Sequence, residues 1–172
     1  MKKLLFIWLV GVLVFLFESC SESRQVKYVF YFIGDGMGVN QVNGTEMYLA
    51  ERDSVIGVKG LSFASFPVRN YATTYSSYHG VTCSAAAGTA LATGEKTKNG
   101  TIGMDKEQKK PLYSVAVRAK EAGRKVGIIT SVGMNHVTPA AFYGHQPRRT
   151  MYFELGKDAI RTGFDLYGGG GI

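Results

Sequence analysis

The stretch Tyr28–Gly38, YVFYFIGDGMG, constrains this chain more than any other. Its apolar, aromatic-rich run, residues 28–33, shows no polar alternation, which is the pattern of a strand buried on both faces. The run stops at Gly34-Asp35-Gly36-Met37-Gly38, where three glycines in five residues let the backbone turn sharply and approach another group closely. This predicts Asp35 at the carboxyl end of a central strand, where open α/β sheets keep their sites. No Lys or Arg neighbours Asp35 in the sequence. Two readings of it stay open on pattern alone: a turn aspartate bonded to its own backbone, or a metal ligand. GDGMG is not the GxGxxG pattern, so a dinucleotide site has little support.

Residues 1–20, MKKLLFIWLVGVLVFLFESC, have the plan of an export signal. Lys2 and Lys3 form a basic start, and the apolar run 4–17 is short for a membrane span. Cys20 precedes the polar tether Ser21-Glu22-Ser23, which suggests a bacterial lipoprotein cleaved before Cys20 and lipidated on it. Glu18 stands where a small residue is usual, so plain secretion and an uncleaved anchor remain alternatives. All three place the rest of the chain outside the cytoplasm, in the periplasm or on a membrane-anchored lipoprotein. They leave a membrane no role beyond the anchor or signal.

Removing that segment leaves about 150 residues, enough for one domain or part of a larger one. The chain is 45% hydrophobic and 12% aromatic, so it can build a core, and its 22 glycines imply tight loops. It has two cysteines; with Cys20 lipidated, Cys83 stands alone and no disulfide framework forms. The net charge of +7 is spread over the chain rather than massed. Solvated loops explain it, an anionic substrate is compatible with it, and no motif supports nucleic acid.

Composition and spacing predict helices over 39–51, from Ser84 onward, over 111–122 and over 152–162. Pro111 suits the first turn of the third of these, with Gly123 after its end. A short helix opens at Pro139 and reaches His145. Strands are expected at 67–75, 125–130 and 164–167. The strand–helix–strand rhythm argues for a parallel sheet. The alanine-rich stretch after Ser84 can lie close against a sheet, with Thr82 or Ser84 capping its start. The amino end of such a helix is a seat for phosphate. A serine there is either a plain cap or a nucleophile, and caps are the commoner use. His136 follows a strand end, where a structural histidine is the commoner reading. The chain stops in a glycine run after a core strand, which predicts that it is the N-terminal part of a longer domain.

Taken in order, IGDGMG (33–38), VTCSAAAGTALATGEKTKNGTIG (81–103), TPAA (138–141), HQPRR (145–149) and FDLYGGGG (164–171) resemble the alkaline phosphatase family. The resemblance covers nearly all of residues 27–171. It implies an α/β sandwich with a central, mostly parallel sheet between helices, truncated at the C-terminus, and hydrolysis of phosphate monoesters with two zinc ions and one magnesium. It assigns Asp35 to the carboxylate bridging one zinc and the magnesium, and Ser84 to the nucleophile that becomes phosphoserine and also meets metal. Thr138 matches a magnesium ligand, and His136 falls where family members carry Asp or His beside that ion. Arg149 matches the arginine that holds phosphate. A homodimer is one assembly compatible with the family.

Two departures bear on activity. Cys83 precedes the nucleophile position, where many relatives carry an Asp that helps hold the arginine. The family's remaining zinc ligands have no match, for the chain's three histidines are His79, His136 and His145. Residues 21–172 by themselves are therefore expected to be inactive. The competing readings are a non-catalytic exported anion-binding domain, a degenerate phosphatase, and a related sulfatase or phosphodiesterase. A Ser nucleophile in this flank favours a monoesterase over a diesterase, where Thr is common.

Overall fold

The computed structural model describes residues 26–170, and the chain divides into two compact units, residues 1–33 and residues 34–172. The expected export signal and Cys20 lie outside the described residues. In chain order the elements are α1 (Val39–Arg52), α2 (Ser84–Thr93), α3 (Val115–Glu121), β1 (Gly127–Ile129), α4 (Val137–Ala140), α5 (Tyr152–Thr162) and β2 (Leu166–Gly168), with a 3-10 turn at Ser62–Ser65. Among the described residues no helix is long and apolar enough to cross a membrane.

The second unit is organised around α2. Its sequence SAAAGTALAT buries Ala85, Ala86, Gly88, Thr89 and Ala92. Small side chains let a neighbouring backbone come close, and the neighbour is α4 rather than the sheet expected from sequence. A Cβ placed on Gly88 would lie 3.0 Å from the Ala141 methyl and 3.6 Å from the Thr138 carbonyl oxygen. The Thr89 hydroxyl donates to the Ala85 carbonyl at 2.8 Å and accepts from the Gly103 amide at 3.0 Å. This stitches α2 to the following loop. Gly94 ends the helix in the left-handed conformation, at φ 81°.

β1 and β2 pair in parallel, Gly127 with Leu166, Ile128 with Tyr167 and Ile129 with Gly168, and α4 and α5 make the crossover between them. The expected strand–helix–strand unit is present, with shorter strands. β1 is not buried on both faces; its residues run exposed, half-buried, exposed. Among the described residues it has one neighbouring strand. Asp165 clamps the entrance to the pair, accepting from the Val126 amide at 2.9 Å and from Lys120 and Lys125 at 2.9 Å each.

Two strand expectations are corrected. Residues 28–33 form no strand, and Phe30 and Phe32 are 79% and 88% exposed. Residues 67–75 form none either, with Val68 and Tyr71 exposed. A strand is made by its ladder partner, and neither segment has one among the described residues. In the second, the Lys96 ammonium takes carbonyl oxygens a ladder would use, donating to Tyr75 at 2.5 Å and Thr73 at 3.3 Å.

Helix boundaries follow capping chemistry. α1 and α5 fall within one residue of expectation, and Gly163 ends α5 at φ 59°. α3 begins at Val115 instead of Pro111, because Ser114 caps it: its hydroxyl accepts from the Val117 amide at 3.1 Å and donates to the Phe142 carbonyl at 2.6 Å. Pro111 lies in an extended bridge with Met104. α4 starts at Val137, before Pro139, with His136 as its N-cap. A proline fits there because the first helical turn leaves its amides without carbonyl partners anyway. The turn beyond α4 leads into Tyr143, 1% exposed, whose hydroxyl donates to the Met134 carbonyl.

Candidate functional site

Three chain segments far apart in sequence converge on one carboxylate. The Ser84 hydroxyl donates to Asp35 Oδ1 at 3.1 Å, and the Thr138 hydroxyl donates to Asp35 Oδ2 at 2.9 Å. Each partner is placed by a local device. Asp35 sits in a turn closed by a Met37 amide to Gly34 carbonyl bond of 3.2 Å, with Gly36 left-handed at φ 69°. Ser84 is the first residue of α2, and Thr138 lies in α4, held against α2 at Gly88.

The cap expected from Thr82 or Ser84 is not there. Cys83 is the N-cap residue of α2, and no side chain caps the helix. The Ser84 hydroxyl is thus turned to a carboxylate rather than spent on a backbone amide, which removes the plain-cap reading. For Asp35, the reading as a turn residue bonded to its own backbone loses to its two side-chain partners.

Cys83 is wrapped by the loop that follows α2. Its amide donates to Asn99 Oδ1 at 3.1 Å, Asn99 Nδ2 donates to the Val81 carbonyl at 3.0 Å, and the Gly100 amide reaches the Cys83 sulfur at 3.1 Å. Burial opposes ionisation of the thiol. The amides of Ala86, Gly100 and Ala85 and the positive charge of Arg149 outweigh it, so the thiol sits below its ordinary pKa. Arg149 therefore stands near the start of α2. Among the described residues it is in no ion pair.

The loop carrying Arg149 is tied down at several points. Ile102, fully buried, exchanges both backbone bonds with Gln146 at 3.0 Å each. Asp158 of α5 accepts from the His145 amide at 3.1 Å and from Gln146 Nε2 at 2.7 Å. Gln108 Nε2 donates to the Pro147 carbonyl at 2.6 Å. The sequence reading missed Asn99, Gln108, Gln146 and Asp158. Asn99 and Gln146 lie inside the motifs KTKNGTIG and HQPRR, which was the available signal. Nothing local marks Gln108 or Asp158.

The donor set can be tested for metal. Asp35, Ser84 and Thr138 gather oxygen donors, the type a magnesium ion takes. The buried Nδ1 of His136, two residues from Thr138, has no hydrogen-bond partner, as a waiting ligand would. These residues fit one hard cation. They do not fit a pair of zinc ions, since no group of three His, Cys, Asp or Glu side chains among the described residues could hold one.

The family model described as alkaline phosphatase matches residues 26–166. The chain is 35% identical over 134 residues to "Alkaline phosphatase 4" of Bacillus subtilis (strain 168), covering 75% of this chain and 28% of that protein. The crystal structure of Thermus thermophilus alkaline phosphatase superposes with a TM-score of 0.71 at 29% identity, over 84% of this chain and 30% of that one. A mutant of the alkaline phosphatase from the Antarctic bacterium TAB5, described with Mg bound, has a TM-score of 0.54 at 30% identity, over 55% of this chain and 27% of its own. The chain spans about a quarter to a third of the length of the relatives it matches.

Proposed function

Since the chain belongs to the alkaline phosphatase family, we propose that its site is the nucleophile and magnesium side of a phosphomonoester hydrolase. One observation carries this reading: the Ser84 hydroxyl at the head of α2, 3.1 Å from Asp35 and free of capping duty. In the whole protein, Ser84 Oγ attacks the phosphorus of a phosphate monoester. The bond to the alcohol breaks and the phosphoryl group is carried on Ser84. Water then attacks the phosphoserine, releasing inorganic phosphate and restoring the hydroxyl.

Asp35 accepts the Ser84 hydroxyl and aims its oxygen outward from the helix. The Arg149 guanidinium faces the phosphoryl oxygens, and its fork can take two at once, which a lysine cannot copy. Asp35 and Thr138, with His136 beside them, would hold magnesium, while Asp35 and Ser84 offer at most part of a zinc site whose other ligands are not among the described residues. When bound, such ions supply the charge that lowers the serine pKa and offsets charge on the entering and leaving oxygens. The magnesium reading draws support from the mutant of the TAB5 enzyme whose structure is described with Mg bound.

The same ligand count favours a second reading for the chain as it stands, a phosphate binder without turnover. We also infer export with lipidation at Cys20, from the basic and apolar start. A homodimer belongs to the same set of proposals. The experiment is a p-nitrophenyl phosphate assay with added zinc and magnesium. In the whole protein Ser84→Ala is expected to lose at least ~10³-fold in turnover, while residues 21–172 show none. Full activity of the Ser84→Ala protein would overturn the nucleophile assignment. Zinc-dependent turnover by residues 21–172, above their own Ser84→Ala control, would overturn the ligand count.

A further inference from the structure

Beside the start of α2 lies a recess of about 660 Å³ whose wall includes Lys98, Lys106, Lys109, His79, Glu107 and Asn99. Its charge is unbalanced. Glu107 is the one carboxylate in this lining and lies 3.7 Å from Lys106, leaving Lys98 and Lys109 without an ion-pair partner among the described residues. The next acid in the loop, Asp105, accepts the backbone amides of Lys109 at 2.7 Å and Lys110 at 3.1 Å, and its charge also faces these two lysines, so Lys98 is the least compensated cation of the wall. The carboxylate is used to shape the 105–110 turn.

The recess is built from tied segments. The Ser77 amide donates to the Thr97 carbonyl at 2.9 Å, and its hydroxyl to the Lys96 carbonyl at 2.8 Å, joining the turn that bears His79 to the loop that bears Lys98. The Thr97 hydroxyl donates to the Asp105 carbonyl at 3.1 Å, fixing the two lysine-bearing stretches to each other. Asn99 links this wall to the phosphate end, because it lines the recess while its Oδ1 accepts the amide of Cys83, the residue before Ser84.

We propose that the recess is a subsite for the alcohol part of the substrate, and that it selects phosphate monoesters bearing a second anionic group there. This rests on the reading of Ser84 and Arg149 as the phosphate end. Lysines held in no close ion pair, Lys98 above all, gain most from a ligand anion, and a neutral alcohol leaves them as they are. Partly solvated charge pairs of this kind are each worth up to about 1 kcal/mol, so the preference is about fivefold to tenfold.

The test is calorimetric titration of the chain with three probes: inorganic phosphate, glycerol 3-phosphate and 3-phosphoglycerate. The two esters are alike in size and differ by one carboxylate. The expected result is tighter binding of 3-phosphoglycerate by that factor, lost in a Lys98→Gln, Lys109→Gln double variant whose affinity for inorganic phosphate is unchanged. Equal binding of the two esters by the unaltered chain overturns the proposal, and so does a preference that survives the double variant. Arg149→Ala separates this from the reading it rests on. If it leaves inorganic phosphate binding intact while the double variant still removes the preference, the phosphate end is misassigned and the lysine recess stands.

Discussion

Residues 67–75 and residues 101–104 with 145–149 make an instructive pair. The first stretch, PVRNYATTY, has the β-rich composition of a strand, yet it pairs with no strand among the described residues and exposes Val68 and Tyr71 at 85% and 90%. The second pair reads as loop, being rich in glycine, proline and charge, yet Ile102 and Thr101 are fully buried there. The Ile102–Gln146 bridge, Asp158 and Gln108 satisfy its backbone and side chains. Order in this molecule follows from partners for polar groups, and those partners sit tens of residues away.

The sharpest way to break the comparison is to attack the packing beneath the Arg149 loop. Leu155 is fully buried against Gly144, so Leu155→Ala should cost about 2–5 kcal/mol, read by urea unfolding of the chain. A cost near zero would mean the loop is no better packed than residues 67–75. Next, Asp158→Leu should remove the anchor of His145 and Gln146 and cost about 1–3 kcal/mol. It should also weaken inorganic phosphate binding roughly tenfold by loosening Arg149, with Asp158→Asn intermediate. Unchanged phosphate affinity would show that the network holds the loop without positioning the arginine.

A smaller effect comes from pH. The Lys120 side chain, the Val126 amide and Lys125 hold the Asp165 carboxyl well below the usual carboxylate range. A depressed folded-state pKa contributes stability above the unfolded value of about 4, and that contribution is lost as pH falls toward the folded value. Unfolding midpoints between pH 5 and pH 3 should therefore fall more steeply for the unaltered chain than for Asp165→Asn. Parallel curves would remove Asp165 as a clamp of the β1–β2 pair. The smallest effect is expected from Val68→Ser with Tyr71→Ser, within about 0.5 kcal/mol of zero, since neither side chain is buried. A large loss would reveal that residues 67–75 are ordered by packing after all.

Much of this protein was legible before any coordinates. Local chemistry decided it. Alanine content marks α2 from Ser84 onward, spacing and Gly163 delimit α5, and the motifs around Asp35, Ser84, Thr138 and Arg149 could be picked out in order. Helix-forming tendency and left-handed glycines act over a turn or two, so sequence suffices for them. That residues 28–33 and 67–75 form no strand was not legible, because a strand exists only through another stretch of chain. Likewise, no local signal says that Ser84 and Thr138 share one carboxylate across 49 and 103 residues of chain, or that Asp158 supports His145. Those contacts depend on α2 and α4 meeting at Gly88, where the absence of a side chain sets how closely two backbones approach.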